Sequence, residues 1–240
     1  MKNNKHTFKS INNQQITKKM ATDKYSNIGK DGIVKEGIFN RFPILEPVTI
    51  GDNYWNNPRH NKLMIIGESN YFSDNVDSVF NDPEAWYRGE ITKPLIPKDK
   101  ETFFKNDKSG YPPFDRLRDS MKTVLKTEFG AIYEEAIYYN YFLRPATGGR
   151  TFSHFCKPID REVAGTALCG ILDIVKPNIV IFASKYAYDE FIKYIKSPKY
   201  NDIRIEFVYH PSNRWRRWES DPNSKQKFER LLKEYWLCNP

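Results

Sequence analysis

Four stretches of the chain carry apolar residues almost without a break, and the segments between them repeat apolar positions every three or four residues. Lys62-Leu63-Met64-Ile65-Ile66-Gly67 is the first. Its continuous run predicts a strand buried on both faces, as in a parallel sheet, with Gly67 opening a tight turn after it. Ala136-Ile137-Tyr138-Tyr139-Asn140 predicts a second strand, followed by a loop from Tyr141 to Arg150. The third is Asn178-Ile179-Val180-Ile181-Phe182-Ala183, ending at Ser184. Ile205-Glu206-Phe207-Val208-Tyr209-His210 predicts the fourth, β-branched and partly alternating. It stops at Pro211, because proline cannot donate to a sheet ladder.

Helical periodicity fills the gaps. From Pro113 to Glu128, Phe114, Leu117, Met121, Val124 and Leu125 share one face, and Gly130 is a natural stop. From about Arg161 to Val175 the face is Ala164, Leu168, Ile171, Leu172 and Val175. Lys185 to Ile195 predicts a third helix, and about Pro222 to Trp236 a closing one, with Asp221-Pro222 as cap and first-turn pair. Strands separated by helices of crossover length predict an α/β fold: a three-layer α/β/α sandwich around a central, mainly parallel four-stranded sheet.

Other stretches lack this pattern. Ile38 to Val48 is apolar but broken by prolines, which predicts irregular structure over the core. Gly51 to Trp55 reads as a turn whose aromatics serve as lid or core, with core the expectation. Residues 73–112 are rich in Asp, Asn, Pro and Lys, with a short helix expected near Asp82 to Tyr87; so long a connection suits a lid or a cap over the core. Residues 1–36 intersperse Lys2, Lys5, Lys9, Lys18, Lys19, Lys24, Lys30 and Lys35 with Asn, Gln and Thr. That composition cannot repay its ordering entropy, so a flexible basic arm is expected ahead of one domain over residues 37–240.

Charge and cysteines narrow the classes. The net charge of +8 favours a polyanionic partner, although much of the excess lies in the arm. Cys156, Cys169 and Cys238 are widely spaced and form no Cys-x-x-Cys pair, which argues against a disulfide scaffold, a zinc site and an iron–sulfur cluster. No run has the length of a transmembrane span and the first residues contain no apolar signal core, so a cytoplasmic location is expected.

In open parallel sheets ligands bind beyond the carboxyl ends of the strands. Here those ends carry Glu68-Ser69, Asn140, Ser184 and His210-Pro211-Ser212, four polar termini on one edge. Ser184 alone reads equally well as a strand-end cap. Beyond Ser212 and Asn213 the chain enters Arg214-Trp215-Arg216-Arg217-Trp218, a cation–indole cluster suited to an anion or to solvent. His6, His60 and His154 read as surface residues.

Between Lys62 and Trp236 these residues resemble the uracil-DNA glycosylase superfamily. That family has a glycine-led motif after its first core strand, an asparagine after a middle strand and a final His-Pro-Ser. This chain has Gly67-Glu68-Ser69-Asn70-Tyr71, Asn140 and His210-Pro211-Ser212 in the same order. The resemblance implies that Asn140 reads a flipped pyrimidine. It implies that His210 stabilises charge on the departing base and that Ser212 holds a flanking phosphate. Tyr71 matches a tyrosine that in one branch excludes the thymine methyl. Arg214, Trp215, Arg216 and Arg217 stand where relatives insert a wedge and neutralise backbone charge. Ser69 occupies the place of an aspartate that orients water in the most active branch; another branch carries glutamate after the glycine, as Glu68 does here. Asn70 replaces a proline, and Asn213-Arg214 a proline–leucine pair.

The first hypothesis is therefore a DNA glycosylase hydrolysing the N-glycosidic bond of uracil or a related deaminated base, with Glu68, Ser69 and His210 as catalytic candidates. It expects damaged or uracil-containing DNA as partner, a monomer, no membrane contact, no cofactor and no metal. The second is a non-catalytic nucleic-acid or nucleotide-binding protein on the same fold. A third keeps the pocket and acts on a free nucleoside or small nucleobase compound.

Overall fold

The computed structural model describes residues 38–42, 45, 48, 50–71, 82–91, 112–147, 150–195, 198–212, 218–220 and 223–238. The arm at 1–36 and most of 73–112 lie outside the described residues. Four strands form one sheet: β1 (Leu63–Tyr71), β2 (Ile137–Ala146), β3 (Ile179–Phe182) and β4 (Arg204–Phe207). Their order is β2-β1-β3-β4 and every pairing is parallel. The main helices are α1 (Pro112–Leu125), α2 (Pro158–Val175), α3 (Lys185–Tyr194) and α4 (Ser224–Leu231).

Strand alternation sorts the core into two layers. Met64, Ile66, Val180 and Phe182 face Ala164, Leu168 and Ile171 of α2 and Phe191 of α3. Leu63, Ile65, Ile179 and Ile181 belong to the other layer, with Leu117, Met121 and Val124 of α1 and Phe228 and Leu231 of α4. Both faces are covered by helices, which makes the three-layer α/β/α sandwich. Leu63 to Ile66 are all fully buried, and each such aliphatic side chain contributes roughly 1.5–3 kcal/mol.

β1 and β2 run further than their apolar cores. β1 does not turn at Gly67; it pairs onward through Ser69↔Phe142 and Tyr71↔Ala146, with a register irregularity between Ser69 and Tyr71. β2 likewise absorbs Tyr141 to Ala146, expected as loop. The two thus project as a paired ribbon beyond the end of β3 at Phe182. Pro145 is tolerated there because β2 is an edge strand.

Other expectations are corrected locally. α1 ends at Leu125, and Lys126, not Gly130, takes the positive φ of 53° that closes it. α4 is capped by Asn223, whose side chain accepts from the Gln226 amide at 2.9 Å. Asp221 and Pro222, proposed for that role, lie outside the described residues. Gly51 to Trp55 contains a short helix, Asp52–Trp55, and Tyr54 is core as expected. Trp218 is wholly buried beside Phe228, so it belongs to the core and not to a solvent-facing cluster. His60 is no surface residue either. It is buried, stacked on Trp236, with Nε2 at 2.7 Å from Glu135. Periodicity missed it because a lone polar residue before a strand carries no sign of a buried partner 75 positions away. Among the described residues no helix is long and apolar enough to cross a membrane.

Candidate active site

Register fixes the depth at which each candidate sits. Asn140 is the Cα partner of Gly67, one residue beyond the level at which Ile66 pairs with Phe182, and Phe182 with Phe207. Glu68, Ser184 and His210 follow within a few residues of that level on their own strands. The carboxyl edge of the sheet therefore carries all of them. The structure gathers them into three hydrogen-bonded groups.

The first group surrounds Glu68. Its Oε2 accepts from the Ser184 hydroxyl at 2.7 Å, and its Oε1 accepts from the Phe152 amide at 3.1 Å. Ser184 is buried and also caps α3, accepting from the Ala187 amide at 3.3 Å. Phe152 lies in a 3₁₀ turn, Phe152–His154, with its ring stacked on Phe142 at 4.4 Å and the Arg144 guanidinium 5.2 Å from its centre. Arg144 is itself fully buried. It donates through Nε and an Nη to the two Asp160 oxygens at 2.8 and 2.6 Å and to the Phe155 carbonyl at 2.9 Å. Tyr87 donates to Asp160 at 2.8 Å, and burial raises the Tyr87 hydroxyl well above its ordinary pKa, with the Asp160 charge adding to the rise. Such a charge pair is held only where nearly all its polar atoms are satisfied; here it anchors the turn that presents the Phe152 amide. Ser69 is the register partner of Phe142 in the β1–β2 ladder, while the Glu68 oxygens accept from Ser184 and Phe152.

The second group surrounds Asn140. Its Nδ2 donates to Asn70 Oδ1 at 2.6 Å, and its Oδ1 lies 3.5 Å from the Tyr138 hydroxyl. Asn70 is buried beside the register irregularity of β1. Gly67 leaves room for both neighbours: a Cβ there would run into the Tyr138 hydroxyl and Asn140 Oδ1. Tyr71, by contrast, stands 54% exposed at the far end of β1, outside these contacts.

The third group is His210-Pro211-Ser212. The Ser212 amide donates to His210 Nδ1 at 3.2 Å, and the Ser212 hydroxyl lies 2.6 Å from the same nitrogen. An amide only donates, so Nδ1 is an acceptor and the ring proton resides on Nε2. Burial lowers the His210 pKa to about 4, which keeps the imidazole neutral near pH 7. Two outside groups brace the segment. Ser224, at the start of α4, accepts from the Tyr209 amide at 3.0 Å. Arg116 of α1 donates to the Pro211 carbonyl. Ser212 itself is exposed.

Arg214, Trp215, Arg216 and Arg217 lie outside the described residues. Sequence reasoning did not find Phe152 or Arg116, and it named Asn70 only as the replacement for a proline. A backbone amide leaves no residue signal, and the partners of Asn70 and Arg116 are set by a register slip and a long-range packing. Among the described residues no cluster of three or more His, Cys, Asp or Glu side chains could hold a metal ion. No protein-family model matches this chain, and no curated protein matches it in sequence.

Proposed function

We propose that this protein is a DNA glycosylase of base excision repair, hydrolysing the N-glycosidic bond of uracil or a related deaminated base. The observation that carries the proposal is His210. It is a neutral imidazole whose Nδ1 accepts from Ser212 and whose Nε2–H is the remaining donor, on the sheet edge that also bears Glu68 and Asn140. A neutral donor in a partly dry site stabilises a developing oxyanion without first giving up a proton. The motif resemblance supports the same assignment.

In this scheme the target nucleotide leaves the stack and its base edge meets the Asn140 amide, which offers both a donor and an acceptor. Glu68 polarises a water molecule and takes its proton as the water oxygen bonds to C1′ of the deoxyribose. The C1′–N bond breaks and its electron pair leaves with the base, where His210 Nε2–H stabilises the charge on the carbonyl oxygen. The products are the free base and an abasic site. Ser212, with Arg214, Trp215, Arg216 and Arg217, would contact the flanking backbone, and the net charge of +8 would add salt-dependent attraction.

The test is incubation with labelled oligonucleotides bearing one uracil, single-stranded or opposite G or A, then alkaline cleavage of abasic sites. Cleavage by the natural protein, lost in Asn140→Ala, Glu68→Gln and His210→Ala variants that remain folded, is the expected result. Salt-dependent binding with no abasic product would replace the proposal with a non-catalytic nucleic-acid-binding protein. Turnover of a free nucleoside alone would move it to a small substrate.

A further inference from the structure

The strand order puts β1 and β3 side by side while their connections leave in opposite directions, from β1 through α1 to β2 and from β3 through α3 to β4. Between such strands a crevice opens at the carboxyl edge, the usual ligand position of an open parallel sheet. The Glu68–Ser184 hydrogen bond lies across this point, next to the backbone bond from the Ala183 amide to the Ile66 carbonyl at 2.7 Å.

Ser184 Oγ has one proton. The Ala187 amide supplies its own hydrogen to that oxygen, so the hydroxyl proton goes to Glu68 Oε2. The Phe152 amide holds Oε1. One donor per oxygen, from two separate elements, fixes the plane of the carboxylate, and each oxygen retains acceptor capacity for a further donor such as water. A helix cap alone requires only that the serine accept; donation to a carboxylate 116 residues away adds nothing to the cap.

We infer that Ser184 is a positioning residue for Glu68, holding the carboxylate in the orientation that polarises the attacking water; the inference rests on the glycosylase reading above. Ser69, the alternative water-orienting side chain, is then dispensable.

Capping and positioning are separable by substitution. Glycine serves as an N-cap nearly as well as serine but has no hydroxyl, and threonine supplies both functions. Single-turnover release of uracil from an oligonucleotide is measured for Ser184→Gly, Ser184→Thr and Ser69→Ala, with DNA affinity and melting temperature. The expected result is near-natural melting temperature and affinity for Ser184→Gly with base release slowed roughly 10- to 100-fold, the value of one hydrogen bond to a charged group. Threonine restores the rate, and Ser69→Ala stays within a few-fold of the natural rate. Combining Ser184→Gly with Glu68→Gln should slow release no further than Glu68→Gln alone. Natural-rate release by Ser184→Gly, or additive losses in the double variant, would overturn the inference and leave the glycosylase reading standing. Absence of base release from the natural protein would overturn both.

Discussion

Asn140 Nδ2 donates to Asn70 Oδ1 at 2.6 Å, and this is the shorter of the two contacts that set which way the Asn140 amide faces. With its nitrogen turned to Asn70, its oxygen lies toward the Tyr138 hydroxyl and Gly67. A base edge approaching Asn140 therefore meets a donor and an acceptor in a fixed order. Without Asn70 the amide can turn over and present the reverse pattern. Asn70→Ala is expected to reduce discrimination between uracil and cytosine about 5-fold, in line with one hydrogen bond of ~1 kcal/mol. Asn70→Asp, which keeps an acceptor, should preserve it. Competitive cleavage or binding of paired oligonucleotides measures the ratio, and an unchanged ratio in Asn70→Ala would refute the orienting role.

Gly67 gives a prediction of a different kind. Its backbone is ordinary strand, so alanine meets no conformational obstacle, but the added methyl collides with Tyr138 and Asn140. Both colliding atoms are ends of side chains, which can move at a cost of about 1–3 kcal/mol. Gly67→Ala should stay folded, lose a few degrees of melting temperature and lose most of its base-dependent activity. A variant that melts early yet retains full activity would show that Asn140 does not need its observed position.

The sheet was legible in the sequence because parallel strands buried on both faces leave continuous apolar runs, as Leu63 to Ile66 and Ile179 to Phe182 do. Strand lengths were not. Glu68 to Tyr71 and Tyr141 to Ala146 pair with each other past the end of β3, and their polar and proline content resembles loop. The strand-end residues Glu68, Asn140 and His210 could be named, since position in a parallel sheet predicts the ligand edge. What holds each of them could not, because a backbone amide at Phe152, a buried arginine at 144 and a register slip beside Asn70 leave no periodic trace. His60 and Trp218 failed for the same reason: local polarity and a neighbouring basic run masked partners distant in sequence or packing.

The Arg144–Asp160 pair links the core to the site. Both side chains are fully buried, and the aspartate also accepts from Tyr87 and the Lys157 amide. Removing one partner leaves an uncompensated buried charge, so Arg144→Ala or Asp160→Ala should cost about 3–5 kcal/mol in chemical denaturation. Arg144→Lys should not rescue, because a point charge cannot span both oxygens and reach the Phe155 carbonyl. A lysine variant of natural stability would refute the bidentate geometry.

The ordinary imidazole pKa is near 6.5, and burial lowers that of His210 to about 4. As the pH falls, the unfolded chain takes up this proton before the folded one. Stability is therefore unaffected by this group above about pH 7. It is lost through the window from 6.5 to 4 and levels below that. His210→Gln should flatten this part of the stability profile. The same shift keeps the Nε2–H donor on a neutral ring from pH 5 to 8, so base release should show no limb near pH 6.5 from this residue. Long-range proton–nitrogen spectra of the imidazole test both statements at once. They should show the Nε2–H tautomer and a titration midpoint near 4, whereas a midpoint at 6.5 or a proton on Nδ1 would remove His210 as the neutral donor.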